Sequence, residues 1–103
     1  MSYTVLRTDT FNDQLQNAIL YIADDSGSID IALDYLGKIE EAILQLKDFP
    51  ESGSYPRYAA LKRRGFRVLI IKRHIVFYKV NQQKNQVILY AFVDSRQEYR
   101  NLI

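Results

Sequence analysis

The hydrophobic pattern of this 103-residue chain changes period once, near Gly65, and that change limits the architectures open to it. Phe11, Leu15, Ala18, Ile19 and Ile22 recur at helical spacing, and Ala32, Leu36, Ile39, Ile43 and Leu46 do the same. After Gly65 the runs become extended: FRVLII, IVFYKV and VILYAFV, separated by Lys72-Arg73-His74 and by residues 81–86. Tyr3 to Arg7 is a short β-branched and aromatic stretch, and Thr8, Asp9 and Thr10 offer helix caps behind it. Between the helical stretches, Gly27 suits a left-handed helix end and Ser28 can cap the second helix, so a tight helical hairpin is expected. That second helix should run from Ile29 to Asp48, where Phe49-Pro50 and Gly53 stop it. Residues 51–65 read as a surface loop, and Ser95 can cap a short last helix through Tyr99.

This order is strand, helix, helix, three strands, short helix. It predicts one α+β domain over residues 1–103, with an N-terminal strand and an antiparallel helical hairpin packed on a mainly antiparallel sheet. The last three strands form a C-terminal meander, and the sheet face away from the hairpin is expected to stay partly open.

Charge divides along the same line. Residues 1–51 carry 3 Lys and Arg against 10 Asp and Glu, and residues 52–103 carry 11 against 2, so nets of −7 and +9 hide inside an overall +2. A folded form that gathers the second half's cations on one side would attract a polyanion or an acidic protein. The chain has no cysteine, which excludes disulfides and thiolate metal sites and fits a reducing compartment, so a cytoplasmic location is expected. No apolar run approaches a membrane span and the N-terminus has no signal-like core, so the protein should be soluble and unprocessed.

Lys62, Arg63, Arg64 and Arg67 put four cations within six residues, a density that binds phosphates and equally serves a solvated loop. Lys72 and Arg73 sit at a predicted turn beside His74, the one histidine and the natural candidate for acid or base work. One histidine and no cysteine leave no metal site, and no phosphate-cradling glycine loop or nucleophile elbow is present; no cofactor is expected. Arg96, Glu98, Tyr99 and Arg100 follow the last strand, where chemistry and binding often reside, while Tyr78 and Tyr90 lie within strands.

The ordered set Tyr3-Thr4-Val5, the helical hairpin, Phe49-Pro50-Glu51-Ser52-Gly53, Arg67 to Ile70, Ile75 to Val80 and Asp94 to Tyr99 resembles the RelE/ParE superfamily of bacterial toxins. The resemblance spans essentially the whole chain. It implies the toxin of a type II toxin–antitoxin, plasmid-stabilisation type of system, held inactive in an oligomer with a co-encoded acidic antitoxin. One branch cleaves messenger RNA on the ribosome and another inhibits DNA gyrase. Where ribonuclease members often carry an arginine this chain has Ile75, and where many carry a histidine it has Asp94. Arg67, Arg96 and Glu98 match positions of the family pattern, and the long hairpin looks more like the ParE branch.

RNA cleavage through the 2′-hydroxyl needs a base, an acid and a group that stabilises the phosphorane, and arginine supplies only the last. A ribonuclease would draw on Arg67, His74, Tyr78, Arg96, Glu98 and Tyr99. That set is thin, so the reading leans to a non-enzymatic toxin that binds gyrase or another replication protein. Its contacts to target or antitoxin would be Arg63, Arg64, Arg67, Lys72, Arg73, Arg96, Tyr99 and Arg100. The alternatives are a ribosome-dependent mRNA endoribonuclease and an inactive homologue that only binds antitoxin.

Overall fold

A computed structural model describes residues 2–97. Strand β1 (Thr4–Arg7) leads into helices α1 (Asp9–Ser26) and α2 (Ile29–Leu44); a short helix α3 (Ala59–Arg63) then precedes β2 (Arg67–Ile71), β3 (His74–Asn81) and β4 (Gln86–Asp94). The sheet order is β1-β4-β3-β2, with β1 parallel to β4 and the other pairs antiparallel. The expected α+β architecture is the one observed. The predicted last helix from Ser95 through Tyr99 is described only as far as Gln97, where Ser95 and Arg96 form a turn and Gln97 a bend in place of a helix; Glu98 and Tyr99 lie outside the described residues.

The helix ends follow from the capping chemistry in the sequence. Thr8 Oγ1 accepts from Phe11 N at 3.1 Å and donates to Leu89 O at 3.0 Å, so one hydroxyl caps α1 and ties it to β4. Gly27 takes φ 71° at the hairpin, and Ser28 Oγ accepts from Ile31 N at 3.2 Å. The second helix is shorter than its apolar repeat: it ends at Leu44 and tightens into a 3₁₀ turn at Gln45–Lys47, which keeps Leu46 fully buried.

Two cores lie on the two faces of the sheet. The hairpin side joins Phe11, Leu15, Ile39, Ile43 and Leu46 to Val76, Tyr78, Val87 and Leu89. The other face was expected to be partly open, and it is covered in part: Leu61 of α3 and Phe66 close over Val68, Ile75, Phe77, Ala91 and Val93, while Ile70 stays 62% exposed. Residues 51–65 are therefore more than a loop. Five helical residues carry too little periodicity to stand out in a sequence, yet they bury Leu61 to 2% exposure. The segment before them pairs with the edge strand as well, through Ser54 N to Val68 O (2.9 Å) and Val68 N to Ser54 O (2.8 Å).

A bulge in β4 decides which side chains share the second face. Phe77 pairs with Ala91 but Tyr78 pairs with Leu89, so Tyr90 is an extra residue and lies on the same side as Ala91. This brings the Tyr90 ring to Lys79 and Phe66.

Candidate functional site

The sequence-predicted site residues fall into two groups at opposite ends of the sheet. The first is a basic aromatic hollow at the start of β2 and the end of β3. Arg67 Nη2 donates to Glu51 O at 2.7 Å and Gly53 O at 2.9 Å, while Gly53 N donates to Tyr78 Oη at 3.0 Å. The Arg67 guanidinium also lies 4.7 Å from the centre of the Tyr55 ring, and Lys62 Nζ lies 4.5 Å from it. Lys79 Nζ sits 4.5 Å from the Phe66 centroid and 5.3 Å from that of Tyr90. Tyr55, Lys62, Phe66, Arg67, Lys79 and Tyr90 line, with Glu51, an open hollow of about 540 Å³ on the face away from the hairpin. Each cation rests on a ring, so the positive charge is held in place rather than carried on mobile stems.

Tyr78 is fully buried, and Arg67 is a brace for the preceding loop as well as a surface cation. Arg63 is exposed in the last turn of α3, and Arg64 lies 5.2 Å from the Phe66 ring centre.

The second group lies at the start of β3 and the end of β4. His74 pairs across the sheet with Asp94, stacks on Phe92 at 4.8 Å and 11°, and has Nδ1 2.7 Å from Tyr35 Oη. Tyr35 Oη also donates to Ile71 O at 3.0 Å, so the hydroxyl is shared between that carbonyl and the imidazole. Burial pushes the His74 pKa below its ordinary value, against the pull of Asp94 and with help from Arg73 and Arg96. Burial likewise raises that of Tyr35. Arg96 clamps Asp94 through Nε to Oδ1 (3.0 Å) and Nη2 to Oδ2 (2.8 Å), and these hydrogen bonds hold the carboxyl well below its usual range. A groove of about 750 Å³ runs from these residues to Gln14, Asn17 and Tyr21 of α1. It borders the part of β4 beyond β1, where Gln14 Oε1 accepts from Phe92 N at 2.8 Å.

Lys72 and Arg73 form the turn beside this group, Lys72 with a left-handed φ of 53°. Glu98, Tyr99 and Arg100 lie outside the described residues. His74 and Tyr78 are four residues apart on β3, which separates the two groups by about 13 Å of extended strand. Sequence reasoning missed Tyr35, Phe92 and Tyr55. Each reads locally as an ordinary helix, strand or loop aromatic, and only the packing brings Tyr55 to Arg67 and Tyr35 and Phe92 to His74.

The family model for the ParE toxin of type II toxin–antitoxin systems, parDE, matches residues 5–99. The chain belongs to the ParE toxin family. Among solved structures, the chromosomal ParDE toxin–antitoxin system from P. aeruginosa is similar to this ParE-family chain at TM-score 0.73 and 13% identity, covering 90% of this chain and 96% of that one. The RelBE2 toxin–antitoxin complex from Mycobacterium tuberculosis is similar at TM-score 0.62 and 17% identity, covering 91% and 99%. A sequence comparison with curated proteins gives no match. Among the described residues, no helix of this ParE-family protein is long and apolar enough to cross a membrane, and no three His, Cys, Asp or Glu are grouped to hold a metal.

Proposed function

We propose that this ParE-family toxin acts in the cytoplasm by binding, with DNA gyrase or another replication protein as its target. One observation carries this reading: among the described residues the candidate ribonuclease groups are split, His74 with Arg96 at one end of the sheet and Arg67 with Tyr78 at the other. His74 stands about 13 Å along the strand from Tyr78, Tyr78 is buried, and Arg67 holds the carbonyls of Glu51 and Gly53. A general base must reach the proton it removes, and His74 lies at the far end of β3 from the Arg67 guanidinium, where Glu51 is the carboxylate that lines the hollow. Binding needs no such convergence. Purified toxin is expected to reduce gyrase supercoiling at concentrations that arrest growth; unchanged supercoiling would reject gyrase as the target.

The basic hollow favours an acidic antitoxin as the neutralising partner, because fixed cations over aromatic rings suit carboxylates set among apolar anchors. The similar ParDE and RelBE2 structures are themselves toxin–antitoxin systems.

The same hollow also motivates a second reading, a ribosome-dependent endoribonuclease, since rings beside cations suit single-stranded RNA. Transcripts that stay uncut after induction would remove it. A chain that arrests no growth at all would be an inactive homologue.

A further inference from the structure

We infer that free copies of this toxin associate head to tail, with the outer face of the α1–α2 hairpin of one copy seated in the basic hollow of the next. This goes beyond the functional reading above and does not depend on the target. On α2, Ile29, Leu33 and Leu44 recur at four- and eleven-residue steps and stay 70%, 55% and 60% exposed. Beside that apolar row runs an exposed acidic one, Asp30, Asp34 and Glu41, turned by about 100° at the helical step. Between Leu33 and Leu44 lies Gly37, where an added Cβ would meet nothing within 4 Å.

A glycine inside a helix costs about 1 kcal/mol relative to alanine, and none of the described residues packs into the space it leaves. The notch does allow another surface to approach the helix backbone closely.

The hollow supplies the complement from the opposite face of the sheet. The Tyr55 and Tyr90 rings and the stems of Lys62 and Lys79 offer apolar contact, and the ammonium groups, seated over rings, face the acidic row. Their fixed positions reduce the ordering cost of association. A hairpin-to-hairpin contact would instead bring two acidic rows together, since residues 1–51 carry a net −7. The charge division therefore selects a second copy in a heterologous arrangement, in which each copy uses two different surfaces.

Sedimentation velocity on the purified chain tests this. Wild type is expected to form concentration-dependent species larger than a monomer at about 50 mM salt and to return to monomer at about 500 mM, where the screening length is short. Leu33→Asp with Leu44→Asp should be monomeric at both, and Lys62→Glu with Lys79→Glu likewise, each with an unchanged circular dichroism spectrum. Mixing the two double variants should produce a heterodimer and nothing larger, because one carries only the intact hollow and the other only the intact hairpin. Wild type that stays monomeric at low salt, a mixture that forms no heterodimer, or self-association of the lysine variant would each overturn the inference.

Discussion

Gly53 shows how one residue can fix a surface. A Cβ there would lie 2.5 Å from Tyr78 Oη and closer still to the Val68 carbonyl, so only glycine allows the loop to lie against β2. Arg67 then grips the same loop through the Glu51 and Gly53 carbonyls. Gly53→Ala is expected to cost about 1–3 kcal/mol in urea unfolding, the usual range for overpacking, and to shift the environment of Tyr55. His74 gives a second test at this scale. Its folded pKa is lowered, chiefly by burial, so between that value and about 6.5 the unfolded chain binds more protons than the folded one. The stability it contributes is complete above about pH 6.5 and is lost as the pH falls through that value towards the folded pKa. The urea midpoint should fall on acidification from about pH 7.5 to 5, and His74→Phe, which keeps a ring on Phe92, should flatten that window. An equal fall in the variant would assign the effect elsewhere.

At the scale of elements, α3 is the piece whose contribution is easiest to underrate. It is five residues long and makes no side-chain cap hydrogen bond, so its own helix propensity cannot sustain it. Burial of Leu61 beside Phe66 holds it in place, and this cover completes the second core. Leu61→Ala should therefore cost about 2–5 kcal/mol in chemical denaturation, as buried leucines elsewhere do. It should also loosen Lys62, and with it one edge of the hollow. A cost below about 0.5 kcal/mol, the surface range, would mean that the second core stands without α3. The β4 bulge is the other deciding element, since in a strict alternation from Ala91 Tyr90 would turn to the hairpin side and leave Lys79 without one of its two rings.

For the whole molecule, the sheet separates charge. Its hairpin side carries the acidic helices and its other side carries the hollow with Lys62 and Lys79, while Arg73 and Arg96 line the groove beside α1 and Glu51 lines the hollow. That separation favours an acidic antitoxin over the hollow and underlies head-to-tail association of free copies. Much of the architecture was legible beforehand. Helical spacing over Phe11 to Leu46, the Thr8, Gly27 and Ser28 signals and three extended runs specify the hairpin and meander, because capping and periodicity are local properties. The pairing of β1 with β4, the partial closure of the second face by α3 and the bulge at Tyr90 depend on contacts between distant residues, and no local pattern encodes those. The site divides in the same way. The sequence alone determined which side chains carry charge and that one histidine exists. Only the tertiary structure decided that Arg67 braces a loop and that His74 rests between Tyr35 and Phe92, some 13 Å of strand away from Tyr78, because burial and distance arise when the strands take their register.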